Sequence, residues 1–209
     1  MCGRYVIKNP IIKTKKIVKS AIQVEDIENY NAHPFQKLPV IKKYKNGKTL
    51  ESLRWGLIPG WAKDKDFKAL INARLETVDE KVSFKKLIKN NRCVAVADGF
   101  YEWKREEKEK IPHYFTRKDN KTIFFAGIYE ENQFCLITEE AKENIKLIHN
   151  RQPVIINEID INSYLNLELQ GSVYLNKRDK PNLIFHQVSK DVNKPTNNSG
   201  SLIQNINNG

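Results

Sequence analysis

The chain has 209 residues, 36 Lys and Arg against 25 Asp and Glu, a net charge of +11, and 40% apolar residues. That length supports one domain with a substantial core, and the composition excludes a disordered chain. No apolar run approaches a membrane span, no secretory signal opens the chain, and its three cysteines lack a C-x-x-C spacing; this excludes a disulfide framework and leads us to expect a cytoplasmic protein with no membrane partner.

The chain opens Met1-Cys2-Gly3-Arg4-Tyr5. If Met1 is removed, which a small second residue permits, Cys2 carries an α-amine and a thiol on adjacent carbons. The amine titrates near ~8 and the thiol near ~8.5, so both offer a usable reactive fraction at neutral pH. An aldehyde is the natural target: the amine forms an imine, and the thiolate closes a five-membered thiazolidine. Taken alone, Cys2 is better read as simply a small residue after the start codon, so the rest of the chain must decide.

Weak alternation over residues 2–8 predicts a short strand, and Ile12, Ile17, Val18, Ala21 and Ile22 among lysines predict an amphipathic helix over 11–23. Residues 40–44 and 49–54 flank Asn46-Gly47 and predict a hairpin. Trp55-Gly56-Leu57-Ile58-Pro59-Gly60-Trp61 reads as a shaped loop with two aromatic faces. An extended piece follows over 71–76, and Thr77-Val78-Asp79-Glu80 resembles a capping box opening a helix through about Lys89. Strands are predicted over 93–97, 100–104, 112–117, 122–129, 134–138, 154–156 and 183–188, with a solvated hairpin tip over 104–110 and a helix over 159–165. The pattern is α+β: a curved, barrel-like, mainly antiparallel sheet with peripheral helices. One domain over 1–193 and an irregular tail over 194–209 are expected.

Ten lysines between Lys8 and Lys48 face only Glu25, Asp26 and Glu28 there, which points to nucleic acid as a polyanionic partner. A lysine-rich solvated face is the alternative. The four histidines show no H-x-x-x-H pairing, so no metal or other cofactor is expected. No G-x-S-x-G elbow, P-loop or dinucleotide fingerprint is present. What remains is scattered: Asn72 and Arg74 in an apolar extended segment, Glu102 between Tyr101 and Trp103, and His149 before Arg151 and Pro153. Flanking aromatics can raise a carboxyl pKa and make Glu102 a proton shuttle. Singly, each also fits a structural role.

Seven blocks in order carry a resemblance across nearly the whole chain: Met1 to Tyr5, Tyr30-Asn31 to Pro34, Trp55 to Trp61, Asn72 to Thr77, Ala97 to Lys104, His149 to Val154, and Val188-Ser189 to Val192-Asn193. In these the chain resembles the SRAP (SOS response-associated peptidase) family, proteins that crosslink to abasic sites in single-stranded DNA. Asn150 stands where aspartate is common in that family, and Gln152 where methionine is common.

The resemblance implies the SRAP-domain fold and assigns Cys2 as nucleophile, with Asn72, Glu102 and His149 as the other catalytic side chains. It implies a monomer acting on abasic sites in single-stranded DNA, in the nucleoid or at replication forks. Arg4, Arg74 and Arg151 are assigned to phosphates beside the lesion, since guanidinium forks match phosphate oxygens. Gly3 accompanies them, and Trp61 or the Trp55–Pro59 loop is placed to stack on a base. Two other readings stay open: a thiol peptidase or self-processing hydrolase using Cys2, His149 and Glu102, and a non-covalent reader of single-stranded or modified DNA.

Overall fold

Runs of β-branched and aromatic residues build most of the architecture. The structure, a computed structural model, describes residues 2–45, 47–62, 66–107 and 109–207, the side chain of Glu143 excepted. Its strands are β1 (Tyr5–Lys8), β2 (Ser20–Ile22), β3 (Glu28–Ala32), β4 (Lys37–Tyr44), β5 (Gly47–Trp55), β6 (Asn72–Arg74) and β7 (Arg92–Ala97). They continue as β8 (Gly99–Glu106), β9 (Glu109–Arg117), β10 (Ile123–Glu130), β11 (Gln133–Glu140), β12 (Arg151–Pro153), β13 (Ile155–Ile156) and β14 (Leu183–Gln187). The helices are short: α1 (Pro10–Thr14), α2 (Leu87–Asn90), α3 (Glu143–Lys146), α4 (Ile161–Leu165) and α5 (Gly171–Lys177).

Strands β5, β4, β7, β10 and β11 pair in that order, and β11 pairs back onto β5 in parallel through Gln133 opposite Arg54 and Phe134 opposite Trp55. The sheet therefore closes on itself. A second sheet has the order β14-β9-β8-β1-β3 and is antiparallel throughout. The α+β class and the curved, barrel-like, mainly antiparallel sheet expected from the sequence are what the structure has.

Alternation divides the second sheet's two faces. Tyr5, Ile7, Phe100 and Phe115 join the main core, where Tyr5 lies 5.3 Å from Trp55 and 5.7 Å from Phe125, ring to ring. Val6, Tyr101 and Tyr114 face the other way and form a second core with Val188, Val192 and Leu202 of the C-terminal segment. That segment is bound to the sheet through 3₁₀ turns at Lys190–Asn193 and Gly200–Ile203. Arg92, buried at the head of β7, ties in the helices: its guanidinium donates to the carbonyls of Ile88, Tyr164 and Asn166.

Two helix expectations fail. The segment over 11–23 is α1, a turn closed by Ile17 and Val18 N–H on the Thr14 carbonyl, and then β2, parallel to β5. Ladder bonds to β5 outweigh a weak helical period in a stretch rich in β-branched residues. The proposed capping box opens no helix either. Glu80 and Lys81 N–H both return to the Thr77 carbonyl, and regular helix begins only at Leu87. On a straight helix Val78 would sit about 120° around the axis from Phe84, whereas the looped path buries Val78, Phe84, Leu87 and Ile88 together. Helix α5 carried no signal in the sequence. Strands β4 and β5 form the expected hairpin, although Asn46 of its turn lies outside the described residues.

Close approach fixes one glycine: a Cβ on Gly99 would lie 2.4 Å from the Tyr114 ring carbon Cζ and hydroxyl oxygen. Gly99→Ala must push that ring out of the second core. We expect a loss of about 1–3 kcal/mol in urea unfolding, as for other overpacked cores.

Candidate functional site

Strand β1 carries residues 2–4 into the molecule. It pairs with β8 (Tyr5 opposite Phe100, Val6 opposite Gly99), and the Tyr101 N–H donates to the Arg4 carbonyl at 3.0 Å. Cys2 is consequently buried in full. Its carbonyl accepts from Asn72 Nδ2 at 2.9 Å, and the Asn72 side chain is delivered by β6, which runs parallel to β11. Asn72 Oδ1 is buried with no hydrogen-bond partner among the described residues, so that amide is oriented by Cys2 and keeps one acceptor for a bound group.

Glu102 lies on β8, one position beyond Tyr101 and thus on the barrel side with Phe100. It is only 2% exposed. Burial pushes its carboxyl up from 4.5 to about 7, so protonated and ionised forms are both populated near neutral pH. The Cys2 thiol is pushed well above its usual range, first by burial and then by the Glu102 charge. This corrects the sequence argument, which took a thiol near its ordinary value: in the folded chain the sulfur is a thiol.

His149 follows α3 in a turn held by its N–H on the Ile145 carbonyl. Burial, with Arg105 and Arg151 adding positive charge, keeps the ring below its usual pKa and therefore neutral. Nδ1 lies 3.0 Å from the Arg151 N–H and 3.1 Å from the Arg151 carbonyl, so the backbone of Arg151 holds this nitrogen in either tautomer and leaves Nε2 as the ring nitrogen not bound to that backbone.

Arg4, Glu102, Trp103, Arg105, Lys110 and His149 line a cleft of about 390 Å³. A second cleft of about 590 Å³ shares His149 and Arg105 and is lined further by Arg74, Glu76, Asn150 and Arg151. The two form one basic groove across the site. Gly3 is partly exposed between Cys2 and Arg4.

The structure brings Glu102, His149, Arg4, Arg74 and Arg151 to this groove, whereas Cys2, Gly3 and Asn72 line neither cleft: Cys2 is buried, bonded to Asn72 and within the field of Glu102, and two of the arginine assignments change. Arg151 is engaged bidentately by Glu76 (2.8 and 2.9 Å) and also donates to the Thr138 carbonyl at 2.7 Å, so its fork orients the His149 turn. Arg4 Nη1 donates to Asn31 Oδ1 and the Val192 carbonyl. Trp55 is not a surface stacker: it is buried in the barrel, with Nε1 donating to the Ile71 carbonyl at 2.9 Å. Trp61 is half exposed, edge-on to Phe67, and lines neither cleft.

Arg105 and Lys110 carried no assignment, because a run of charges at a hairpin tip looks the same in sequence whether it faces solvent or a groove; Asn193 lay in the seventh block, but only the fold brings it to the cleft. Gln152 faces away from the site; its amide bonds buried Glu139 and the Lys142 N–H, so its departure from the family pattern leaves His149 untouched.

A family model described as SOS response associated peptidase (SRAP) matches residues 1–195. The chain belongs to the SRAP family. Among SRAP relatives it is 36% identical to the abasic site processing protein YoqW of Bacillus subtilis, over 98% of this chain and 99% of that one. It is 30% identical to the abasic site processing protein YedK of Escherichia coli, over 86% of each. A solved structure from Bacteroides thetaiotaomicron superposes with a TM-score of 0.83 at 23% identity, covering 98% of this chain and 99% of that one, so the fold is the same.

The raised Glu102 carboxyl has a measurable consequence. Because its folded pKa exceeds the unfolded value, the folded protein binds more protons between pH 4.5 and about 7. Stability from this group is complete below 4.5 and is lost as pH rises through about 7, by up to about 3 kcal/mol. Urea unfolding of Glu102→Gln across pH 5 to 8 should lack that decline.

Proposed function

We propose that this SRAP protein, like the relatives named abasic site processing proteins, acts on abasic sites in DNA, and that it does so by linking Cys2 covalently to the lesion in single-stranded DNA. The observation that carries this reading is a buried carboxyl poised near pH 7 beside a buried N-terminal-proximal cysteine whose carbonyl is held by Asn72. Within a peptide chain the Cys2 nitrogen is acylated by Met1; removal of Met1 gives the amine the reaction needs.

Each step balances with residues of the site. The ring-opened abasic sugar exposes an aldehyde: Nε2 of neutral His149, in the tautomer whose Nδ1–H faces the Arg151 carbonyl, takes the C1 hydroxyl proton as the bond from C1 to the ring oxygen breaks and returns it to that oxygen, so His149 ends neutral. The Cys2 amine attacks the aldehyde carbon to give a carbinolamine, while Asn72 Oδ1 accepts from the attacking nitrogen. Protonated Glu102 gives its proton to the carbinolamine oxygen, water leaves, and an iminium remains. The Cys2 sulfur then bonds to that carbon as its proton passes to the Glu102 carboxylate, the iminium electrons return to nitrogen, and a thiazolidine results. Glu102 ends as it began. The trap matters because an untrapped imine at an abasic site is set up for β-elimination and strand cleavage.

Arg4, Arg74, Arg105 and Lys110 supply cations for the phosphates on either side, and no base readout is required. The protein acts as a monomer in the cytoplasm, where such lesions arise in replicating DNA. The protonated thiol of Cys2 weighs against a thiolate-first peptidase.

The test is incubation with an aldehyde-bearing abasic oligonucleotide and denaturing electrophoresis. Wild type yields a denaturation-stable adduct; Cys2→Ala, or any residues left before Cys2, abolishes it, and an unchanged adduct in either would refute the reading. Cys2→Ser gives an adduct only after borohydride reduction, since it forms the imine without the sulfur trap. Because the reaction requires protonated Glu102 and neutral Cys2 amine, its rate peaks between pH ~7 and ~8. Glu102→Gln lowers the rate at that optimum by about a hundredfold.

A further inference from the structure

Asn31 is polar, 1% exposed, and remote from the chemistry, yet its side chain makes four hydrogen bonds. Oδ1 accepts from Arg4 Nη1 at 2.7 Å. Nδ2 donates to the carbonyls of Val192 (3.2 Å), Lys194 (3.1 Å) and Asn197 (2.9 Å). Two N–H groups serve three carbonyls, so one of them is shared. The amide has only one workable orientation: Arg4 offers only donors and the carbonyls offer only acceptors. Arg4 Nη1 completes the loop by donating to the Val192 carbonyl at 3.1 Å.

The clasp matters because of what hangs from the segment it holds. Asn193, between two of the clasped residues, lines the cleft that contains Glu102 and His149 and accepts from Trp103 Nε1 at 2.7 Å through its Oδ1. Beyond the clasp, Asn198 Oδ1 accepts from the Tyr30 N–H at 2.6 Å, and Leu202 enters the second core. One wall of the cleft is thus built from residues far apart in sequence, and Asn31 is the group that bonds both Arg4 and the C-terminal carbonyls.

We propose that Asn31 is a positioning residue for DNA capture: it aims the Arg4 guanidinium into the cleft and fastens the 192–197 segment as the cleft's wall. This rests on the reading of the groove as a DNA site and adds to it the element that shapes it. Loss of the Asn31 amide leaves Arg4 in place chemically but free to swing toward solvent. The expected deficit therefore lies in capture of the strand and depends on Arg4 being present.

The probe is a fluorescent single-stranded oligonucleotide with a tetrahydrofuran abasic analogue, which has no aldehyde and cannot crosslink, titrated with wild type, Asn31→Ala, Arg4→Ala and the double variant. Asn31→Ala raises Kd about tenfold, the scale of a lost hydrogen bond to a charged group. In the Arg4→Ala background the same change alters Kd by less than about twofold, because the two residues act as one unit. With aldehyde-bearing DNA, the half-saturating concentration rises by a similar factor while the saturated adduct rate falls less than about threefold. Wild-type affinity in Asn31→Ala, or an equal loss with and without Arg4, overturns the proposal. Asn31→Ser carries the same comparison if the alanine variant does not fold. Should wild type form no adduct with aldehyde-bearing DNA, the crosslinking reading fails, and the analogue titrations still decide the role of Asn31.

Discussion

The antiparallel pairing of β1 with β8 is the constraint on which the rest of the site depends. An N-terminal dipeptide is ordinarily the most mobile part of a chain. Here the strand begins three residues after Cys2, with β8 on one side and β3 on the other, so Cys2 is held in the interior. The pleat then assigns every neighbour: Tyr5 and Ile7 to the barrel core, Val6 to the second core, and the Arg4 carbonyl to the Tyr101 N–H. Glu102 reaches Cys2 because it occupies the same strand two residues beyond Phe100, which is itself opposite Tyr5.

Electrostatics within this frame follow from where each carboxylate is spent. Glu76 holds Arg151, and buried Glu139 holds Arg178 and Lys180. Such pairing stabilises the charged form of an acid. Glu102 differs in that burial dominates, and its pKa rises instead of falling. A protein with net charge +11 thus keeps one carboxyl near neutrality inside a groove of cations, which is an arrangement suited to moving protons beside a bound polyanion.

Legibility in the sequence tracked the range of the forces involved. Strands such as β7 and β10 were readable because a run of β-branched and aromatic residues prefers the pleat wherever it is placed. The short helices were not: α1, α2 and α5 span four to seven residues, too few for a 3.6-residue period to stand out, and their lengths are set by what they pack against. Asn31 illustrates the same limit at the site. From the sequence, Tyr30 to Pro34 reads as an ordered loop; the structure puts Asn31 in β3, and its four partners lie 27 to 166 residues away.

The sequence by itself determined the chemistry available: a cysteine that removal of one methionine makes N-terminal, an asparagine, a glutamate and a histidine in ordered blocks, a strongly basic chain, and enough alternating apolar segments for a closed sheet. Those are local properties of composition, spacing and residue type. The tertiary structure alone decided how that chemistry is tuned. It buried the Cys2 thiol and raised its pKa, brought the Glu102 carboxyl to about 7, turned Arg151 inward onto Glu76, and fastened the C-terminal segment to Arg4 through Asn31. Desolvation and hydrogen-bond partnership depend on neighbours that only the folded sheet brings together, and no spacing along the chain encodes them.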